Sequence, residues 1–311
     1  MKATRTATVV LISSLFMVAC GGAQKSVLDQ RITVVASFYP IEEILTTVGG
    51  AHVKVIGLTP PGQGAHDIEL SAKTIDAASR ASAVFYLGDG FQPNVEKVLT
   101  SMGASVTKVD LLRTVDVLDI AESLTGGEVD GEVLASGRDP HVWLDPQNMV
   151  KMTNAVMDAL SLASPKYANE FAKSGKQYIA SLKTLGEQID QQLATCKSRS
   201  IITSHRAFAY LAKRANLIQV SISGLNPEEE PSVKTLEQIA KYAKANSVTT
   251  IFFETLLPPD LARTLAEKVG ATTDLLDPVE GLSSKDIANG ASYISVQQDN
   301  LTRLAKGLRC S

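Results

Sequence analysis

The chain has 311 residues, a formal net charge of −3, 44% hydrophobic residues and 5% aromatics. That length allows two domains of ordinary size, each able to bury a core, and the composition is that of a soluble globular protein. The small net charge gives no electrostatic reason to expect nucleic acid or an anionic membrane surface as a partner.

At the N-terminus, Lys2 and Arg5 precede an apolar run over 7–19 that ends in Met-Val-Ala-Cys. A basic start, a short apolar core and a small residue before the cut predict a signal peptide over 1–19. The run is too short for a membrane span. A cysteine directly after the small residue is similar to a bacterial lipobox, although Met17 stands where leucine is usual. The expectation is a lipidated Cys20, a polar tether over 20–30 and an extracytoplasmic, membrane-anchored protein. An uncleaved anchor is the alternative. In an exported chain the remaining pair, Cys196 and Cys310, invites a disulfide that would pin the C-terminal helix. Free thiols or further metal ligands fit less well, because neither cysteine lies near a histidine in sequence.

From residue 31 the chain alternates short β-rich runs with helical stretches. ITVVASF and VKVIGL read as strands, 71–81 as a helix, AVFYLG as a strand, 93–102 as a helix and SVTKVDLL as a strand. The stretch 118–138 is Gly-rich and acidic and reads as a loop. Ser164 and Pro165 then make a helix start, and Tyr167, Phe171, Tyr178, Leu182, Leu185, Ile189 and Leu193 fall on one face of a long helix over 165–193. Beyond it, SIIT, LIQVSIS, TTIFFE and TTDLL are strands, with helices at 206–215, 232–246, 258–270 and 287–308. Near-continuous apolar strands between amphipathic helices indicate parallel sheets covered on both faces. The fold class is α/β: two parallel-sheet lobes, 31–146 and 196–311, joined through a helical segment, 147–195, that includes one long rigid helix.

Three of the four histidines stand where a strand gives way to loop or helix: His66 in GAHDIEL, His141 in DPHVWLDP and His205 in IITSHRAF. Asp277 in LLDPVEGL occupies the same kind of place. In open α/β sheets ligands collect beyond the carboxyl ends of the strands, and three imidazoles with one carboxylate suit a tetrahedral zinc ion. A single loop histidine is ordinarily a solvent-facing residue, and an Asp before Pro ordinarily a turn former. Four such residues at equivalent positions, two per lobe, favour a metal held in the cleft between them. His52 has no such placement and reads as a surface residue. Asp67, Glu69, Asp145 and Glu254 are nearby carboxylates able to orient the imidazoles, or simply caps and surface charge. Trp143 reads as core beside His141.

DPHVWLDP, SHRAFAYL, FFETLLPP and LLDPVEGL resemble the motifs of the zinc and manganese solute-binding lipoproteins of bacterial ABC importers, the ZnuA/TroA-like family, from about residue 32 to the C-terminus. The resemblance implies two α/β lobes bridged by a rigid helix, ligands His66, His141, His205 and Asp277, and an importer permease with its ATPase as partners of a monomeric, non-enzymatic protein. Three features depart from the pattern. The first motif lacks the usual Pro-His; Ala65 excludes the variant with Glu before that histidine; and 121–138 holds no histidine where many zinc members carry a His-rich loop, leaving Glu122, Glu128, Asp130 and Glu132. Manganese members carry Glu where His205 stands, so Zn²⁺ is the expected ion, with Mn²⁺ as the alternative. A zinc hydrolase is the competing reading: without Asp277 the site would be open, and Glu254 would serve as base. A surface adhesin fits the lipid anchor but needs no buried ligands.

Overall fold

Each predicted strand becomes a strand, and the central ones, at 32–36, 83–86, 200–203 and 250–253, are largely buried. The computed structural model describes residues 31–66, 68–119, 137–225, 227 and 231–311. The expected signal peptide, the expected lipidation site Cys20, the expected tether and nearly all of the acidic loop therefore lie outside the described residues.

The first sheet contains β1 (Ile32–Ala36), β2 (Val53–Gly57), β3 (Ala83–Tyr86) and β4 (Thr107–Asp110), parallel throughout in the order β2-β1-β3-β4. The connecting helices are α1 (Tyr39–Gly49), α2 (Ala72–Ser79) and α3 (Pro93–Ser101). The sequence reading assigned no helix to α1. Its Pro40 sits at the first turn, where proline is tolerated, and its Ile41, Ile44, Leu45 and Val48 form one buried stripe. Two threonines and a terminal Gly-Gly disguise that stripe in sequence.

The second sheet repeats the plan. It holds β5 (Ser200–Thr203), β6 (Ile218–Ser221), β7 (Thr250–Phe253) and β8 (Thr272–Leu275), again all parallel, in the order β6-β5-β7-β8. Between the sheets run α4 (Pro146–Ala163) and α5 (Ala168–Ala194). The second lobe contains α6 (Ala209–Ala215), α7 (Val233–Ala245), α8 (Asp260–Val269), α9 (Ser284–Ala288) and α10 (Tyr293–Gly307). The predicted 287–308 helix is thus two helices. Gly290 takes a left-handed φ of 79° and Ser292 starts α10 with a reciprocal cap to Ser295, so the chain stops and restarts there.

The long helix opens with one 3-10 turn at Pro165–Tyr167 and then runs 27 residues, a rod of about 40 Å at ~1.5 Å per residue. Phe171, Tyr178, Leu182, Leu185, Ile189 and Leu193 are all buried, as their spacing predicts. They belong to one continuous apolar cluster that includes Val34 and Phe85 from the first sheet, Ile201 and Phe252 from the second, and Leu304 of α10. The outer face of each sheet has its own smaller cluster. The two lobes therefore share a core, which makes wide separation costly. Cys196 and Cys310 are disulfide-bonded, tying the end of α5 to the end of α10. No helix among the described residues is long and apolar enough to cross a membrane.

Candidate metal centre

All four corners of the centre come from loops beyond the carboxyl ends of strands, where parallel sheets of this order leave a crevice. His66 lies on the loop after β2. Gln92 Nε2 donates to the Ala65 carbonyl at 2.9 Å and Asn94 Nδ2 to that of Ile68 at 3.0 Å, so the loop is held on both sides of the histidine. Across the cleft, Gly62 N–H donates to Leu282 O at 2.9 Å.

His141 enters through Asp139-Pro140. The Asp139 Oδ1 accepts both the His141 backbone N–H and ring Nδ1, each at 2.9 Å. That fixes the ring with Nε2 facing the cleft. Trp143, on the next turn, is fully buried, packs 5.1 Å from the His141 ring, and donates Nε1–H to Pro278 O of the other lobe at 2.7 Å. Tyr293 returns a hydroxyl bond to Trp143 O at 2.5 Å.

His205 follows β5 directly. Glu254, just past β7, accepts from its backbone N–H at 3.0 Å and takes Nδ1 at 2.6 Å. The two central histidines are therefore oriented in the same way, each by a carboxylate behind it, with Nε2 forward.

The fourth corner is Glu280. Its Oε1 lies 3.3 Å from His66 Nε2, 3.2 Å from His205 Nε2 and 3.8 Å from His141 Nε2. The Nε2 atoms of His66 and His141 are 3.4 Å apart. All four potential ligand atoms fall within 4.8 Å of one another. A tetrahedral ion with bonds of about 2.0–2.1 Å requires ligand–ligand edges of about 3.3–3.4 Å, and three of these edges already have nearly that length, while the Glu280–His141 edge is longer at 3.8 Å. His205 Nε2 and Glu280 Oε1 are buried, yet neither finds hydrogen-bond geometry with any described group. They face each other at 3.2 Å as a charge pair without hydrogen-bond geometry, an arrangement that leaves buried polar atoms under-satisfied. A dication there would satisfy both.

Asp277 does not join this group, and the sequence expectation is corrected on that point. Its Oδ1 accepts from Val279 N–H at 2.7 Å and its Oδ2 from the Thr255 hydroxyl at 3.0 Å. Asn300 clasps the same residue's backbone N–H and C=O. Asp277 builds the turn; Glu280, three residues on, reaches the histidines. Val279 takes a left-handed φ of 57°, which swings the chain back. Gly281 then packs so closely that a Cβ would meet Gln63 O at 2.6 Å. The sequence signal for this was the Glu-Gly pair after the Asp-Pro turn.

The expected orienting carboxylates divide. Glu254 performs that role. Asp145 caps α4 through Gln147 N–H and pairs with Arg214 at 2.8 Å, away from the histidines. Glu69 is exposed and lines a cleft cavity of about 490 Å³ that His66, Glu254 and Glu280 also line. Asp67 lies outside the described residues. Asp139 was missed, although an Asp two residues before His is well placed to hold both its N–H groups. His52, read as a surface residue, stacks on Tyr167 at 3.8 Å.

Electrostatics follow from these contacts. Burial would lower the His205 pKa, but the charges of Glu254 and Glu280 outweigh it and push it up to about 10. Burial lowers His141, opposed by Asp139. Burial would raise Glu280, yet His66 and His205 hold it well below the usual carboxylate range. Burial raises Asp277 to about 6, against the bonds from Val279 and Thr255. In the metal-free protein a proton on His205 thus does part of the work of a cation.

The family described as "Zinc-uptake complex component A periplasmic" matches residues 34–307. The chain belongs to this family. It is 34% identical over 300 residues to the zinc-binding lipoprotein AdcA of Streptococcus pneumoniae strain R6, covering 94% of this chain and 58% of AdcA. The chain thus spans a little under three fifths of that relative. It is 31% identical over 306 residues to the high-affinity zinc uptake system protein ZnuA of Bacillus subtilis strain 168, covering 96% of each. Its fold is similar to the crystal structure of the Zn(II)-bound ZnuA-like domain of S. pneumoniae AdcA, with a TM-score of 0.74, 34% identity, and coverage of 89% of this chain and 99% of that one.

Proposed function

We propose that this chain captures zinc outside the cytoplasm and hands it to the permease of an ABC importer, which its ATPase drives. The ion is held by Nε2 of His66, His141 and His205 and by the Glu280 carboxylate. One observation carries the reading: three imidazole nitrogens and a carboxylate oxygen gathered within 4.8 Å of one another, two of them buried without hydrogen-bond geometry. Three imidazoles and one carboxylate favour zinc over manganese, which prefers more oxygen. The names of the relatives, a zinc-binding lipoprotein and a zinc uptake protein, support the same ion, the family description supports an extracytoplasmic place, and the word lipoprotein fits an anchor, which this reading puts at Cys20.

The protein acts in this reading as a monomeric carrier, not an enzyme. Four protein ligands close the shell and leave no position for an activated water. Glu254, the base a hydrolase would need, has both oxygens engaged with His205. Release needs little motion. The shared core resists wide opening, so a small loop shift or tilt is the expected change.

The test is calorimetry with elemental analysis. The purified chain should bind one Zn²⁺ and bind Mn²⁺ more weakly, and His205→Ala should weaken zinc by orders of magnitude. Tighter binding of Mn²⁺ than of Zn²⁺ would overturn the assignment.

A further inference from the structure

Asp139 holds His141 in a lopsided way. Its Oδ1 takes both bonds from His141, while its Oδ2, fully buried, has no hydrogen bond among the described residues. Glu254, by contrast, puts one oxygen on the backbone of His205 and the other on its ring. Among the described residues no hydrogen bond beyond His141 itself orients the Asp139 carboxylate; the charge of Arg206 acts on it, and its direction is otherwise set by its backbone. That backbone has two ties. Asp139 N–H donates to Leu118 O at 2.9 Å. Its carbonyl accepts the hydroxyl of Tyr210 at 2.7 Å. The same hydroxyl oxygen accepts Leu118 N–H at 2.9 Å. Tyr210 is buried and stands on α6 in the other lobe, five residues after His205.

We propose that Tyr210 is a positioning residue for the metal centre: its hydroxyl, reaching across from the second lobe, sets the Asp139 backbone and so the carboxylate that aims His141. The proposal rests on the zinc reading above. It makes the segment that carries His205 responsible for the aim of His141, so the two central ligands move together. A phenylalanine would leave Leu118 N–H and Asp139 C=O buried without their partner, and the Asp139 backbone free to shift.

The test is zinc dissociation into excess chelator from the full chain. Tyr210→Phe should speed dissociation about 10-fold, the scale typical of lost outer-shell partners, with the association rate unchanged. Tyr242→Phe is the matched control: it loses a hydroxyl pair to Ser200 Oγ at 2.9 Å at the far end of the same lobe, and should leave dissociation unchanged. Asp139→Ala, which removes the side-chain acceptor outright, should itself speed dissociation, and adding Tyr210→Phe should then change little more, because Tyr210 acts through the Asp139 carboxylate. Equal rates for Tyr210→Phe and Tyr242→Phe, or multiplicative effects in the double variant, would overturn the proposal. Should Tyr210→Phe not fold, hydrogen exchange on the wild-type chain decides. Zinc must slow exchange of the Leu118 amide more than that of the β2 amides, and equal slowing refutes the link. A wild-type chain that takes up no zinc would overturn the zinc reading and this proposal together.

Discussion

At the scale of single residues, the division of labour between Asp277 and Glu280 is the sharpest claim. Glu280 faces three imidazoles, whereas Asp277 faces Val279 N–H and Thr255. Glu280→Gln should therefore weaken zinc binding by more than the roughly 10–100-fold typical of losing an outer partner. Asp277→Asn should instead cost about 1–3 kcal/mol of stability and leave affinity nearer to wild type. The reverse ranking, read by competition with a zinc dye, would return the ligand role to Asp277.

A pH prediction follows from His205. With its pKa at about 10, the metal-free protein carries a proton there at pH 7.5, and zinc must displace it. Calorimetry in buffers of different ionisation enthalpy should show about one proton released per ion, and the zinc affinity should rise about 10-fold per pH unit from 7 to 9. Zero release would contradict the charged His205. The same shift stabilises the metal-free fold. A raised histidine pKa contributes fully below about 6.5, and that contribution is lost as pH rises through about 10. Glu280, shifted down, contributes above about 4.5 and loses that contribution as pH falls through its lowered value. The metal-free melting temperature should thus fall on both sides of this window.

The three histidines stood out in sequence because they are three of only four in the chain and each sits in a loop or turn segment that apolar runs and punctuation mark off, His205 directly after β5. Glu280 and Asp139 did not. Each depends on a local turn: a left-handed Val279 in one case, and an Asp accepting the N–H two residues on in the other. Neither geometry has a periodic signature.

At the scale of elements, the face of α5 was readable because seven apolar residues, Tyr167 in the turn before it included, recur at helical spacing, and six of them are buried. The α1 helix was not, since its stripe of four apolar residues is short and flanked by threonines and glycines. The break between α9 and α10 also escaped, because Gly290 sits inside an otherwise helical pattern. The disulfide belongs to this scale. Cys196 and Cys310 lie 114 residues apart, so replacing both with serine should lower stability by about 2–4 kcal/mol and let the end of α10 fray. Zinc affinity should stay near wild type, because the bond sits before β5, at the opposite end of the sheet from His205. A marked loss of affinity would show that α10 communicates with the Glu280 turn through Asn300.

At the scale of the whole molecule, the alternation of strands and helices announced two parallel sheets, but their shared order could not be read from it. Parallel pairing is long-range, and registers such as Ile32 with Val53 leave no mark in local sequence. The same holds for the continuous core. It joins the lobes through α4, α5 and α10, so that Trp143 and Tyr293 bond across the cleft beside the metal centre. A site assembled from two such lobes is backed on both sides by one apolar core, which limits how far its ligand-bearing loops can part.

The most direct test is a crystal structure of the zinc-loaded chain with anomalous data collected at the zinc edge. The account predicts one strong peak in the cleft, about 2.0–2.2 Å from Nε2 of His66, His141 and His205 and from a Glu280 oxygen. A peak coordinated by Asp277 in place of Glu280, or lying outside the histidine cluster, would contradict it.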